Sequence, residues 1–93
     1  MQARRVQLYD MAQLQFAGTE VLHSEKERRE REHKLKTAMM LTNSEHEEIS
    51  LFVQLADGEI VEVVSSLIDL EGDYVEVRGG YDIPVRAIVN VGV

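Results

Sequence analysis

The amino-acid sequence predicts an α+β fold in which a helical N-terminal region packs on a small antiparallel β-barrel. Three observations carry this expectation. Residues 49–91 are rich in strand-forming side chains and are cut at regular intervals by Asp57-Gly58, Glu71-Gly72-Asp73 and Gly79-Gly80. Residues 24–42 contain no Gly or Pro and open on a helix-start signature. A chain of 93 residues holds one domain, with residues 1–43 as the helical region and 46–93 as the barrel.

The first 23 residues have a mixed pattern. Val6, Leu8, Leu14 and Phe16 alternate as in strands, whereas Leu8, Met11 and Ala12 share one face of a short helix. The expectation is a short helix over 4–13 and then a strand or loop through Gly18. QFAGTEV at 15–21 resembles QLADGEI at 54–60 in pattern and turn position, a hint of a second hairpin too short to count as a repeat.

Ser24 with Glu27 forms a capping box, and a helix is expected from about 25 to 42. Its first half has no apolar residue. It instead sets Glu25 against Arg29, Glu27 against Arg31, Glu30 against Lys34 and Glu32 against Lys36, ion pairs at i,i+4 that support helicity without burial. Leu35, Ala38, Met39 and Leu41 or Thr42 form the face that docks, so the earlier turns are expected to project away. Asn43 suits the helix end, and residues 44–48 make a polar connector.

In the first barrel strand Ile49, Leu51, Val53 and Leu55 point inward, and Asp57-Gly58 supplies a hairpin turn. The second strand runs from Glu59 to about Leu70 with apolar residues on both faces, and Ser65-Ser66 is where it can bend from one side of a barrel to the other. Tyr74 to Arg78 follows with Val75 and Val77 inward. Gly79-Gly80 is a turn, Pro84 belongs at a strand start or edge, and a last strand buries Val85, Ala87, Val89 and Val91 with Ile83 at its mouth. Arg86 and Asn90 are left on the outer face.

Charge is unevenly placed. The net charge is −7, and residues 37–93 carry two bases against eleven acids. Such a surface repels a phosphate backbone and attracts a basic protein surface, so direct nucleic-acid binding is not expected. The absence of cysteine excludes disulfides, thiolate metal sites and thiol nucleophiles. No apolar run reaches the length of a membrane span, and the start MQARRVQLYD lacks the apolar core of a signal peptide; the expected location is the cytoplasm, with no membrane contact.

Several residues invite a chemical role. Glu30 and His33 make an ExxH on the helix, but a di-metal site needs a second copy on a facing helix, and none is present. His23 and His46 flank the helix as ordinary capping or exposed histidines. The carboxylates Asp57, Glu59, Glu62, Asp69, Glu71, Asp73, Glu76 and Asp82 include no pair beside an evident nucleophile or orienting base, and they read better as solubilising or docking charge than as catalysts. Gly79-Gly80 lacks the helix and Lys of a phosphate loop. Phe52, Tyr74 and Tyr81 suit outer or rim positions where aromatics anchor interfaces, and Phe52 suits packing beneath Leu35 and Met39 equally well.

On these residues the chain resembles an Sm-like or SH3-like small barrel, with LFVQLADG at 51–58 as the first strand and turn and IPVRAIVNV at 83–91 as the closing strand. It resembles the acidic Rho-binding antiterminators in a helix followed by L-x-DGE, in Ser66-Leu67 and in Arg86 leading an apolar strand. It also resembles YolD-like proteins in a helical region before a DG-containing barrel. The helix from Glu25 to Lys36 belongs to neither pattern, and Val85-Arg86-Ala87 replaces the basic and aromatic motif of RNA-binding Hfq-type rings. The resemblance implies a non-enzymatic regulator that binds another protein.

The expected function is therefore an acidic protein-binding regulator, an inhibitor of a nucleic-acid-handling machine, with no catalytic residue, cofactor or metal. The expected binding residues are Asp57, Glu59, Glu62, Glu71, Asp73 and Glu76 with Phe52 and Tyr74. The alternative is a self-assembling subunit, a homo-oligomer built on sheet edges and the helix; an enzyme or small-molecule binder with an interface site comes last.

Overall fold

The computed structural model describes residues 3–93. Its strands are β1 (Arg4–Val6), β2 (Ile49–Gln54), β3 (Ile60–Ser65), β4 (Leu67–Glu71), β5 (Tyr74–Val77), β6 (Tyr81–Pro84) and β7 (Ile88–Val91). One α-helix, α1, spans Glu25–Glu45, and 3-10 turns cover Leu8–Gln13 and Val85–Ala87. Hydrogen bonding divides the strands between a four-stranded sheet, β1-β3-β2-β7, and a three-stranded sheet, β4-β5-β6.

Strict alternation in β2 sends Ile49, Leu51 and Val53 into the core, and β3 answers with Val61 and Val63 across an antiparallel register that pairs Gln54 with Ile60. Gly58 takes φ +93° in the connecting turn, a backbone that a residue with a Cβ adopts only under strain. The long second strand breaks where the two serines stand: Ser66 alone separates β3 from β4, which enters the other sheet. Ser65 is fully buried there, its Oγ donating to the Ser66 carbonyl and accepting from the Arg78 amide.

From the second sheet Leu67, Val75, Val77 and Ile83 face the same core, all at most 1% exposed. Each buried aliphatic side chain contributes about 1.5–3 kcal/mol, far more than any exposed ion pair, so this two-sheet core holds the fold. At Gly79, φ +91°, the Tyr81 ring lies so close that a Cβ would sit 2.8 Å from it, which is why the turn needs its first glycine.

Four expectations require correction. Residues 4–6 are a strand, because the side of β3 left free by β2 offers a parallel partner, Val6 opposite Val63, that no local pattern reveals. The helix runs past Asn43 to Glu45, and His46 ends it in the left-handed conformation with φ 57°. The last strand begins only at Ile88, because the Val85–Ala87 turn resets the alternation. Ile88 is therefore fully buried and Val85 and Val89 are half-exposed, while Arg86 turns back to donate its Nε to the Ala17 carbonyl at 2.9 Å.

The fourth concerns the first half of α1, which docks instead of projecting. Arg31 is only 6% exposed and lies on one helical face with Leu35, Ala38 and Thr42, at spacings of four, three and four residues. Its Nη1 donates to Glu20 at 2.7 Å and to the Ile88 carbonyl at 3.1 Å. Of the four expected helical ion pairs, Glu25–Arg29 and Glu32–Lys36 form. Arg31 is taken by Glu20, and Lys34 reaches Asn90 Oδ1 at 3.0 Å. Half of the expected capping box forms: Ser24 Oγ accepts from the Glu27 amide at 3.1 Å, while the Glu27 carboxylate accepts from the Ser24 hydroxyl rather than from its amide.

Segments 15–21 and 54–60 do not form twin hairpins. Residues 15–17 instead lie against residues 54–56, with Phe16 bridged antiparallel to Leu55 and the Ala56 amide donating to the Gln15 carbonyl.

Candidate protein-binding surface

The acids divide between the two sheets. On the first sheet, strand alternation sends Arg4 and Arg5 to opposite faces, and each meets a glutamate of or beside β3. Arg4 donates through Nε and Nη2 to both oxygens of Glu59, each at 3.0 Å. Arg5 Nε reaches Glu62 at 3.2 Å, and the Ser50 hydroxyl donates to the other Glu62 oxygen at 2.7 Å. The Arg4 hydrogen bonds hold the Glu59 carboxyl below the usual carboxylate range. Chiefly Ser50, and then Arg5, do the same for Glu62.

Asp57 is exposed at the hairpin turn, where its carboxylate accepts from the Glu59 amide at 2.9 Å. Phe52 is half-buried on the face of β2 opposite that of Leu51 and Val53, in register with Glu62 and Asn90.

The second sheet is different. Antiparallel register sets Asp69 opposite Glu76 and Glu76 opposite Asp82, three carboxylates in one row across β4, β5 and β6. Glu71 and Tyr74 form the adjacent pair. Asp69, Glu71, Tyr74, Glu76 and Asp82 together line a shallow depression of about 220 Å³. Among the described residues no Lys or Arg side chain pairs with any of these acids.

Like charges set directly opposite one another across strands destabilise a sheet, so this row is a cost borne at the surface. Tyr74 remains 48% exposed within it, and Asp73 stands at the β4–β5 turn, its carbonyl accepting from the Val85 amide.

The structure thus collects Glu71, Tyr74 and Glu76 on one face and joins to them Asp69 and Asp82, which sequence reasoning counted as solubilising or docking charge but left out of the expected binding set. Cross-strand register joins these acids; the signal for it was the Glu-Gly-Asp and Gly-Gly turns, which fix how β4, β5 and β6 align. Asp57, Glu59, Glu62 and Phe52 belong to the first sheet.

The other candidates stay apart. Glu30 and His33 are exposed on α1, and His23 and His46 are exposed at its ends. No group of three or more His, Asp or Glu side chains placed to hold a metal ion occurs among the described residues. None of their helices is long and apolar enough to cross a membrane.

A third charged feature is structural. Glu20 receives Nη1 and Nη2 of Arg31 and the Leu22 amide, and the Arg31 hydrogen bonds hold its carboxyl below the usual range against the opposing effect of burial. Arg31 Nε is buried with no hydrogen-bond partner among the described residues. This clamp ties the 14–23 segment, α1 and β7 together.

No protein-family model, curated protein or solved structure matches this chain.

Proposed function

We propose that this protein is a non-enzymatic regulator that binds a basic surface of another protein through the outer face of β4-β5-β6. The observation that carries the reading is the in-register row Asp69–Glu76–Asp82, flanked by Glu71 and the exposed Tyr74, with no base paired to it among the described residues. Arg or Lys side chains from a partner would relieve the repulsion within the row and speed encounter by steering. Tyr74 supplies the aromatic anchor that such interfaces favour.

A partner with a basic groove is typically one that handles nucleic acid, so occupying that groove would inhibit it. We place this activity in the cytoplasm. We also read the two sheets as the two sides of a small barrel of the Sm-like or SH3-like kind. The chain passes between them across Ser66 alone, and both contribute to one core.

Self-assembly through sheet edges is the weaker alternative. Helix α1 packs along β4 and β7, which leaves β6 as the longer free edge, and its four residues include Asp82 and Pro84.

The test is capture of the tagged full chain from its native lysate after nuclease treatment, alongside the Glu76→Lys/Asp82→Lys variant. The expected result is one stoichiometric partner that is lost, with at least a tenfold fall in affinity, on charge reversal. Retention of that partner by the variant, or recovery of the bait alone at a multiple of its monomer mass, would overturn the proposal.

A further inference from the structure

The pairing of β1 with β3 has the form of a bound peptide. Three residues, Arg4-Arg5-Val6, add to the side of β3 that β2 leaves free, in parallel and in a single register: Arg4 to Val61, Arg5 to Glu62, Val6 to Val63. The two arginines grip the strand from its two faces, Arg4 on Glu59 and Arg5 on Glu62. Val6, 5% exposed, then enters the core beside Val63. Backbone pairing, side chains held on alternate faces and one apolar anchor are what strand addition uses for recognition.

This ladder is also a weak one. It is parallel where the other ladders of the same sheet are antiparallel, and it spans three residues where β2–β3 spans six. The arginine side chains are 58% and 62% exposed, so water screens both ion pairs. Short segments held in this way open locally without unfolding the rest of a domain.

We propose that the free side of β3, with Glu59 and Glu62, is an acceptor for a basic extended strand of the pattern Arg-Arg-apolar; the chain's own β1 fills it in cis, and a partner protein's strand of the same chemistry takes its place. The acceptor is separate from the acidic face of β4-β5-β6 and holds whether or not that face binds. In the cis-filled state Arg4 and Arg5 mask the two glutamates, so binding in trans is gated by release of β1.

The probe is a fluorescein-labelled peptide, Ala-Arg-Arg-Val-Gln-Leu-Tyr-Asp, matching residues 3–10, titrated by anisotropy into the full chain. Its expected affinity for Arg4→Glu/Arg5→Glu is at least tenfold higher than for the wild type, because the cis strand no longer competes. A chain that also carries Glu59→Arg/Glu62→Arg regains both ion pairs with their signs exchanged, recloses on its own first strand and rejects the peptide. Equal binding to all three chains, or none to the first variant while its circular dichroism stays native, would overturn the acceptor.

Hydrogen exchange on the wild type needs no variant. The amide of Val6 should exchange at least tenfold faster than that of Val53, and equal protection would mean that β1 does not open. A wild-type dimer that dissociates on Arg4→Glu/Arg5→Glu would make a second copy the occupant and overturn the partner strand.

Discussion

The two sheets share one aliphatic core but treat their surface acids in opposite ways. On the first, Glu59 and Glu62 each receive an arginine from β1. On the second, Asp69, Glu76 and Asp82 stand side by side with no base paired to them among the described residues. Apart from β1, the strands of both sheets come from the same acidic part of the sequence, residues 37–93. What separates them is whether a basic segment distant in the chain can reach them. An acid neutralised in cis belongs to the fold; one left in a row of its own kind is available to something outside it.

The largest effect is expected from the clamp that fastens the helix to the first sheet. Arg31→Ala removes the partner of Glu20 and the donor to the Ile88 carbonyl, and should cost about 2–3 kcal/mol in urea denaturation. This is below the cost of orphaning a fully buried charge, because Glu20 keeps the Leu22 amide and is 32% exposed to water. Arg29→Ala, which breaks an exposed pair two residues earlier, should change stability little, and an equal loss at the two positions would refute the clamp.

The same clamp makes a pH prediction. The Glu20 carboxyl lies below its ordinary 4.5 in the folded chain, so its contribution is fully present above that value and is lost as pH falls through the lowered folded value. Wild-type stability should therefore decline below pH 4.5, and the decline should be shallower in Arg31→Ala. Parallel curves for the two proteins would show that Glu20 is not coupled to Arg31.

The smallest effects sharpen the contrast between the sheets by their sign. Glu62→Gln gives up charge-assisted bonds from Ser50 and Arg5 and should destabilise by about 0.5–1 kcal/mol. Glu76→Gln removes a charge from between two others and should stabilise by about 0.2–0.5 kcal/mol. Chemical denaturation of both variants checks the pair; the same sign for both would mean that the two surfaces are electrostatically alike.

Much of the fold was legible because it rests on short-range rules. Alternation in Ile49–Leu55, the Asp57-Gly58 turn, the serine break and the Ser24 cap each depend on neighbours within a few residues. The inward row of β7 was misread because a single 3-10 turn at Val85–Ala87 shifts a period of two by one step. Arg31 could have been found: it continues the Leu35, Ala38, Thr42 face by one turn, but a charged residue hides in a polarity pattern.

The candidate site was legible only in part. Glu71, Glu76 and Tyr74 were visible as acids and an aromatic on strands, whereas their union with Asp69 and Asp82 depends on register across three strands.

By itself, then, the sequence determined the helix, the hairpin turns, the aliphatic inward rows of β2 and β5 and the acidic half, since each follows from local backbone preference or composition. Only the tertiary structure decided which acids are neutralised. Arg4, Arg5 and Arg31 find Glu59, Glu62 and Glu20 through space, and a charge pair depends on a few ångströms of separation that distance along the chain does not encode.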